Sequence, residues 1–290
     1  MPSAAAAKVA VISGGSSGIG LACARYLLER GYRVVLLARD MTRLRAVEAE
    51  LAGSAAGAVD IASVDVDDPI ACQAAIDEVF RRHGRIDWLI TSAGTAEPGM
   101  FLDLDLAIHR TQMTTNYFGT LHLVRAAVPA LQEARGRITL ISSAAAFLGI
   151  VGYSAYAPGK FALRALAEIL RLELEPQGIA VGIAFPPDTE TPQLERERQN
   201  RPLVTRLVSE QGGSMTAAEV ARRILRQAEA GRFILAPSML VSLLAWFNSL
   251  YGPVFAWWQR RLLRRFTTQG SRAGQASSGP GPRDRPRASR

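Results

Sequence analysis

Tyr156 and Lys160 are the first residues in this sequence whose types and spacing suggest chemistry. They lie four positions apart, and Ser143 precedes the tyrosine by thirteen positions. A phenol has a pKa of about 10, and an adjacent ammonium group favours the phenolate and lowers that value. Such a pair could donate a proton to a carbonyl oxygen while a serine hydroxyl hydrogen-bonds the same oxygen. Residues at this spacing are also ordinary neighbours on a helix surface, so the surrounding elements must decide.

Apolar strand-like runs alternate with helical periods along residues 8–237. Strands that are hydrophobic on both faces, separated by helices, are typical of a parallel sheet covered on both sides. The sequence therefore predicts an α/β fold with a Rossmann-type, doubly wound parallel sheet of about seven strands. The predicted strands are residues 8–13, 32–39, 58–66, 86–94, 136–146, 179–187 and 232–237, and the predicted helices are residues 20–30, 41–51, 69–83, 104–133, 154–176 and 217–229.

A glycine-rich turn, SGGSSGIG at residues 13–20, follows the first predicted strand and runs directly into a helix. Gly14 permits a tight turn, Gly18 permits close approach of a backbone, and Gly20 permits close packing of helix on strand. The free amides and the dipole at the helix start favour phosphate groups. An ordinary strand–helix turn is the alternative. The predicted dinucleotide contacts here are Gly14, Ser16, Ser17, Gly18, Ile19 and Gly20.

Arg39 and Arg43 follow the second predicted strand. A site for NAD would place an acid at this strand end for the ribose hydroxyls. Two guanidinium groups instead suit a ribose 2′-phosphate, so the sequence favours NADPH over NADH. Asp40 lies between the two arginines and is the alternative, since it could be that acid.

The third and fourth strand ends carry further candidate cofactor contacts. Asp65, followed by Val66, could accept a hydrogen bond from an adenine amino group, or it could only cap the end of its strand. Ala93 and Gly94 are small residues at the end of the fourth strand, where they leave room for a cofactor ribose.

Ser143 ends the fifth predicted strand, and Tyr156 and Lys160 lie on the helix that follows. Ligands of parallel sheets bind at the carboxyl ends of the strands, so these three side chains come to the same side as the glycine-rich turn. The sequence therefore predicts that Tyr156 donates a proton as a hydride arrives from the nicotinamide. Lys160 has donors left for the nicotinamide ribose.

These motifs together resemble the short-chain dehydrogenase/reductase family over about residues 8–237, with Ser13 and Ser92 where that family has Thr and Asn. The resemblance implies a ketone reductase in which Ser143, Tyr156 and Lys160 are catalytic. It also implies that Asn116, in TTNYFGT, holds a water that relays protons through the lysine. The family usually forms dimers or tetramers through its long helices, so a homodimer or homotetramer is expected unless the chain's apolar tail changes the assembly.

A narrower resemblance comes from FPPDTETPQLERERQNRPLVTRLVSEQGG, residues 185–213. It is similar to the branch of the family that reduces a long-chain amino ketone of lipid synthesis with NADPH. In this segment we expect Thr189 and Thr191 to contact the cofactor. Eukaryotic members of the branch carry an N-terminal membrane segment, and none precedes the first strand here, so we expect a bacterial-type member.

Residues 238–266 form a hydrophobic and aromatic segment that ends in arginines. About 22 apolar residues approach the length that spans a bilayer, but Asn248, Gly252 and Pro253 interrupt them. Trp and Tyr prefer membrane interfaces, and Arg suits anionic headgroups. The segment predicts association with a membrane surface as a broken helix or hairpin in one leaflet. A full span, or a helix folded against the domain or a partner subunit, are the alternatives.

The charge of the chain is concentrated at its end. Nine arginines and one aspartate in residues 260–290 account for the whole net charge of +8. The rest of the chain is neutral, which argues against nucleic acid as a partner. Residues 267–290 are polar and rich in Pro and Gly, so we expect disorder there.

Two cysteines, Cys23 and Cys72, lie in helix-like apolar segments, which predicts buried thiols in a reducing compartment. The spacing of Cys and His predicts no metal site, and we expect no signal peptide.

Three regions are therefore predicted: a reductase domain over residues 1–237, a membrane-associated segment over 238–266 and a disordered basic tail over 267–290. The predicted function is NADPH-dependent reduction of a long-chain lipid ketone, with the catalytic domain on the cytoplasmic side of a membrane. One alternative is another lipophilic ketone, namely a 3-oxoacyl thioester, a steroid or a retinoid. The other is a cofactor-binding membrane adaptor without turnover.

Overall fold

A computed structural model describes residues 7–53 and 57–276 of the chain. The strands are β1 (Val9–Ser13), β2 (Arg33–Ala38), β3 (Val59–Ser63), β4 (Trp88–Thr91), β5 (Arg137–Ile141), β6 (Ala180–Ala184), β7 (Asp188–Glu190), β8 (Ser214–Thr216) and β9 (Ile234–Leu235). The helices are α1 (Gly18–Leu28), α2 (Met41–Ala52), α3 (Pro69–His83), α4 (Leu106–Met113), α5 (Gly119–Ala134), α6 (Ala157–Leu174), α7 (Pro192–Asn200), α8 (Leu203–Glu210), α9 (Ala217–Glu229) and α10 (Met239–Ala276).

Within the described residues, seven strands form one parallel sheet in the order β3-β2-β1-β4-β5-β6-β9. The strand order reverses between β1 and β4, which opens a crevice at their carboxyl ends. The predicted α/β, Rossmann-type parallel sheet is confirmed. β7 and β8 pair separately as a small parallel ribbon.

Helices cover both faces of the sheet because the strands are apolar on both faces. On one face α1, α2 and α9 bury residues such as Leu27, Leu44 and Ile224 against the strands. On the other face α3, α5 and α6 contribute residues such as Ile76 and Leu123. This packing fixes the strand ends in space, and the loops that leave them form the crevice.

Several strands end earlier than the sequence predicts. β3, β4, β5 and β6 stop at residues 63, 91, 141 and 184 rather than at 66, 94, 146 and 187. The apolar composition continues beyond these points, but the regular ladder gives way to single backbone bonds, such as the one from the Ser142 N–H to the Ala184 carbonyl oxygen at 2.8 Å. At β6 the chain continues as Pro186 and Pro187, which have no N–H to donate to a ladder. The residues released in this way are free to face a ligand.

The long helix predicted over 104–133 is divided into α4 and α5 by a π-helical turn, Thr114–Phe118. Such turns are frequent at functional sites, and this one carries Asn116. The sequence also did not predict α7, α8, β7 and β8, which lie between β6 and α9.

The last helix, α10, is bent at Phe247, where the backbone leaves helical geometry. Among residues 7–53 and 57–276 no single helix is long and apolar enough to cross a membrane. The two arms of α10, Met239–Phe247 and Ser249–Arg264, meet that test only as a pair bent by 105°. Val241 of the first arm is buried in the core of the domain.

Gln259, on the second arm, connects α10 to the loop between β5 and α6. Its side chain donates to the carbonyl oxygen of Gly149 at 2.8 Å and accepts from the backbone N–H of Val151 at 2.9 Å. α10 includes residues 267–276, which belong to the segment for which the sequence predicts disorder. The remainder of the predicted disordered tail, 277–290, lies outside the described residues.

Candidate active site

A cavity of about 800 Å³ lies at the carboxyl ends of the central strands. The glycine-rich turn lines one part of it, and side chains of α7 and α10 line another. The sequence-predicted residues that line this cavity are Gly14, Ser16, Ser17, Gly18, Ile19, Arg39, Arg43, Val66, Ala93, Gly94, Ser143, Tyr156, Lys160, Thr189 and Thr191.

The glycine-rich turn has the shape expected for a phosphate site. Gly14 and Gly18 have φ angles of 67° and 55°, a region that favours glycine. A Cβ on Gly18 would lie 3.0 Å from the methyl carbon of Thr191, so the turn leaves space that a side chain would fill. Ser17, the N-cap of α1, makes no side-chain capping bond, which leaves the first amides of the helix available to an anion. The turn therefore fits the phosphates of a dinucleotide.

Gly20 does not line the cavity, so the predicted cofactor contact is replaced by a packing role. A Cβ at this position would overlap the carbonyl oxygen of Gly14. Glycine is required here because α1 packs directly on the turn, which is the helix–strand packing that the sequence predicted for it.

After β2, Asp40 and Arg43 form an ion pair, and Arg39 has no ion-pair partner among the described residues. The Asp40 carboxylate caps α2 by accepting from the Arg43 backbone N–H at 3.1 Å, and it lies 3.3 Å from the Arg43 guanidinium. Arg39 is exposed at the cavity edge and forms no ion pair with any described residue. Since Asp40 is already engaged, Arg39 is the group best placed to meet an anion.

Asp65 lies outside the cavity lining, whereas Val66 lies within it. The Asp65 carboxylate is exposed and accepts from the backbone N–H of Asp67 at 3.1 Å. It therefore closes the turn after β3, which favours the strand-end cap over the predicted adenine contact.

Ser143, Tyr156 and Lys160 come together as the sequence predicts. The Ser143 hydroxyl hydrogen-bonds the Tyr156 phenol and also accepts from the Ala145 backbone N–H at 3.2 Å. Lys160 is buried, its Nζ donates to the carbonyl oxygen of Ile141 at 3.1 Å, and Nζ lies 5.6 Å from the centre of the Tyr156 ring. The three polar groups thus share one end of the cavity.

The protonation of this group differs from the sequence expectation. Burial raises the pKa of Tyr156, and the nearby charge of Glu197 raises it further, while the hydrogen bond with Ser143 lowers it. Burial lowers the pKa of Lys160 to about 8. The expected lowering of the Tyr156 pKa by Lys160 is not found here, because burial dominates and the charge of Glu197 acts in the same direction. Tyr156 is therefore neutral near pH 7, which is the form that can donate a proton.

Asn116 lies behind the cavity wall and does not line the cavity. Its side-chain oxygen accepts from the Thr95 backbone N–H at 2.8 Å, and its amide nitrogen donates to the Thr95 carbonyl at 2.9 Å. Asn116 is completely buried. In this structure it holds the loop after β4 in place, so its predicted role in holding a water stays a prediction.

Four charged or polar residues that the sequence reasoning missed lie beside Tyr156. We call Tyr153, Asp188, Glu197 and Arg201 the Arg201 cluster. Arg201 donates to Asp188 Oδ1 at 3.0 Å and to Glu197 Oε2 at 3.1 Å, and the Tyr153 hydroxyl donates to the same Glu197 oxygen at 3.2 Å. The Tyr153 and Tyr156 ring centres are 5.4 Å apart. The i, i+4 spacing of Glu197 and Arg201 is the only part that the sequence could have indicated.

The opposite part of the cavity is apolar. The residues of α10 that line it include Leu240, Leu244, Val254, Phe255 and Trp258. A ligand with a polar end and a long hydrocarbon chain would therefore find both environments in one cavity.

Comparison with known proteins agrees with this geometry. Residues 8–202 match the family model for short chain dehydrogenases, and the chain belongs to the short-chain dehydrogenase/reductase family. It is thus an NAD(P)-dependent oxidoreductase.

Among its relatives is a 3-dehydrosphinganine reductase of Danio rerio, 37% identical over 228 residues that cover 77% of this chain and 69% of that protein. A 3-ketodihydrosphingosine reductase of Dictyostelium discoideum is 32% identical over 277 residues, covering 85% of this chain and 83% of the other. Among solved structures, a short-chain dehydrogenase from Sphingobium yanoikuyae in complex with NADPH matches with a TM-score of 0.71 and 26% identity, covering 97% of this chain and all of that one.

Proposed function

We propose that the protein reduces 3-dehydrosphinganine, a long-chain 2-amino-3-ketone, to sphinganine with NADPH. The observation that carries this proposal is the 32–37% identity, over most of the chain, to reductases named for that substrate. The cavity supports it, because polar groups at one end and α10 side chains at the other suit an amphipathic ketone.

The choice of NADPH is supported by the residues after β2. Arg39 is a guanidinium at the cavity edge with no ion-pair partner among the described residues, whereas Asp40, the acid that could have bound ribose hydroxyls, is paired with Arg43. The Gly14–Gly18 turn would hold the diphosphate, and Ala93, Gly94 and Lys160 would lie against the nicotinamide half. When bound, the cofactor supplies the hydride that reduces the carbonyl carbon.

The protein's own residues would bind the ketone oxygen and supply its proton. Ser143 and Tyr156 would hydrogen-bond the ketone oxygen and hold it in one position. The neutral Tyr156 phenol would then donate its proton to the oxygen as negative charge develops there. Lys160 is held in place by its hydrogen bond to the Ile141 carbonyl oxygen. Its positive charge would stabilise the negative charge that develops on the Tyr156 oxygen.

We extend the proposal to the membrane and to assembly. The outer face of α10 exposes Trp246, Leu250 and Trp257 at 75%, 70% and 58% of their surfaces, which supports residues 238–266 lying in one leaflet. That residues 1–237 lie on the cytoplasmic side is part of the proposal. A Trp246→Gln, Trp257→Gln double variant should sediment less with anionic vesicles than the native protein, and equal sedimentation would exclude this surface. Pairing of long helices into a homodimer or homotetramer is likewise a proposal.

A second candidate is another lipophilic ketone, and the apolar α10 wall is the observation that favours it. The deciding experiment measures loss of NADPH absorbance with 3-dehydrosphinganine, a 3-oxoacyl thioester, a steroid ketone and a retinoid, each repeated with NADH. We expect the amino ketone with NADPH to give the highest kcat/KM. Equal or faster turnover of another ketone would reassign the substrate, and no turnover of any would favour a non-catalytic adaptor.

A further inference from the structure

We propose that the Arg201 cluster is the subsite for the substrate's polar head, with Glu197 binding the ammonium group and Arg201 Nε binding the adjacent hydroxyl oxygen. This proposal rests on the proposed function, since it needs a 2-amino-3-ketone as substrate. It assigns to these residues the selection of an amino ketone over other ketones of the same length.

The charges in the cluster do not balance. Asp188 and Glu197 share the single guanidinium of Arg201, so the three groups in contact carry one net negative charge. The side chains of Glu197 and Arg201 are only 8% and 3% exposed. Burying an uncompensated charge is costly unless it is paired. A ligand cation at this position would supply the missing charge.

Lys160 is a second cation close enough for its charge to interact with Glu197, but it is not paired with the cluster. Its Nζ donates to the Ile141 carbonyl oxygen, and it forms no ion pair with Asp188 or Glu197 in the described part of the chain. We also expect Lys160 to hydrogen-bond the nicotinamide ribose of the cofactor.

Glu197 has capacity left for a further donor. Its Oε2 accepts from Tyr153 and Arg201, and its Oε1 accepts from the Gln193 amide at 3.0 Å. A carboxylate offers about four lone-pair sites, so Oε1 retains one acceptor position. Because Glu197 lines the cavity, that position is open to a ligand's N–H group.

Arg201 provides an independent indication of a missing ligand atom. Its Nε is buried and has no hydrogen-bond partner among the residues that the structure describes, although nearly all buried donors in proteins are paired. Arg201 lines the cavity, and a hydroxyl oxygen on the carbon next to the amino carbon would supply the acceptor that Nε lacks.

The placement matches the chemistry of the substrate. In a 2-amino-3-ketone the amino and carbonyl groups are on adjacent carbons, so an oxygen bound at Tyr156 brings the ammonium close to Tyr156 as well. Tyr153 connects the two residues, because its ring packs against the Tyr156 ring and its hydroxyl donates to Glu197. The negative charge of Glu197 raises the pKa of Tyr156 and so opposes proton donation. A bound ammonium would offset that effect when the proton is needed.

The test compares 3-dehydrosphinganine with its N-acetyl derivative and with its 1-deoxy analogue, using kcat/KM with NADPH. A hydrogen bond to a charged group predicts that the native protein prefers the free amine to the N-acetyl ketone by roughly ten- to hundredfold. In Glu197→Gln that ratio should fall to within about threefold of one. Glu195→Gln, an exposed acid on the same helix, should keep the native ratio.

Arg201→Lys retains the positive charge and removes the Nε donor. We expect it to reduce the preference for the 1-hydroxy ketone over the 1-deoxy ketone, and an unchanged preference would overturn the assignment of Nε. Binding of NADPH, followed by its fluorescence, shows that each variant is folded.

The outcomes separate the two proposals. If the native protein binds NADPH but reduces none of these ketones, the proposed function is wrong and the head-group subsite falls with it. If the native protein reduces the amino ketone without preferring the free amine, or if Glu197→Gln keeps the native ratio, only the head-group subsite is overturned. The native comparison decides the matter even if Glu197→Gln does not fold.

Discussion

The glycine-rich turn and the Arg201 cluster lie on one cavity, and the chain builds them in different ways. The turn is a continuous segment between β1 and α1, and it acts through backbone amides and the absence of side chains. The cluster joins residues as far apart as Tyr153 and Arg201 and acts through buried charges. A shape made by backbone suits a ligand part that every family member shares. Charged side chains can be exchanged without disturbing the sheet, so they suit the part that distinguishes substrates.

The largest effect that we expect comes from Tyr156, where the two regions meet. Tyr156→Phe keeps the ring and removes the proton donor, so kcat should fall by roughly 10²- to 10⁴-fold. NADPH fluorescence titration should give native affinity, because the phenol hydroxyl is not part of the glycine-rich turn. Activity within tenfold of native would show that another group supplies the proton.

The burial of Lys160 should make the stability of the protein depend on pH. Burial lowers its pKa from 10.5 to about 8, so between these pH values the unfolded chain binds more protons than the folded protein. The contribution of Lys160 to the free energy of unfolding therefore rises with pH across that window, by up to about 3 kcal/mol. Below about pH 8 the folded protein carries the whole cost of burying the charged ammonium group. The free energy of unfolding of Lys160→Met, measured in urea, should lack this rise. A parallel slope in both proteins would contradict the assignment.

Gly14→Ala tests the backbone-built region. The Cβ would meet the Ala93 backbone nitrogen at 2.8 Å, and the φ angle of 67° is strained for alanine. We expect the free energy of unfolding to fall by about 1–3 kcal/mol, together with weaker NADPH binding. Gly149→Ala is the matched control, because nothing lies within 4 Å of its Cβ position. Equal stability of the two variants would argue against a constrained turn.

The smallest effect is expected at Arg39. Arg39→Ala should raise the KM for NADPH by roughly five- to twentyfold, since a solvent-exposed guanidinium contributes less than a buried one, and it should leave the KM for NADH unchanged. Arg45→Ala removes an exposed arginine of α2 that does not line the cavity and serves as the control. Equal losses with both cofactors would remove Arg39 from the 2′-phosphate site.

Local chemistry explains what the sequence predicts well. The strand–turn–helix order and the spacing of Ser143, Tyr156 and Lys160 depend on neighbours along the chain, and the structure brings all three side chains together. The predicted ends of β3 to β6 lie too late in the chain. A strand ends where its pairing with the adjacent strand ends, and the residues of one segment alone do not show where that is. Asp65 caps its turn although Val64 and Val66 on either side of it line the cavity, and a single sequence does not show which way a side chain at a strand end points.

Burial and long-range pairing explain what the sequence could not provide. The effect of Lys160 on Tyr156 depends on how dry the site is, and spacing carries no information about that. The Arg201 cluster depends on α7 folding back onto β7 and onto the loop before α6. Only the Glu197–Arg201 spacing hints at it, and that spacing is common on exposed helices.

The bond pair made by Gln259 has a mechanical consequence. Because the buried Gln259 amide bonds both Gly149 and Val151, pulling the last helix away would break two part-buried hydrogen bonds, at about 0.5–1.5 kcal/mol each. The tail and the loop that precedes Tyr153 should therefore shift together as one rigid unit. On the proposed membrane association, a lipid substrate would meet a cavity entrance that is already formed, and a displacement of α10 would be transmitted to the loop beside Tyr153.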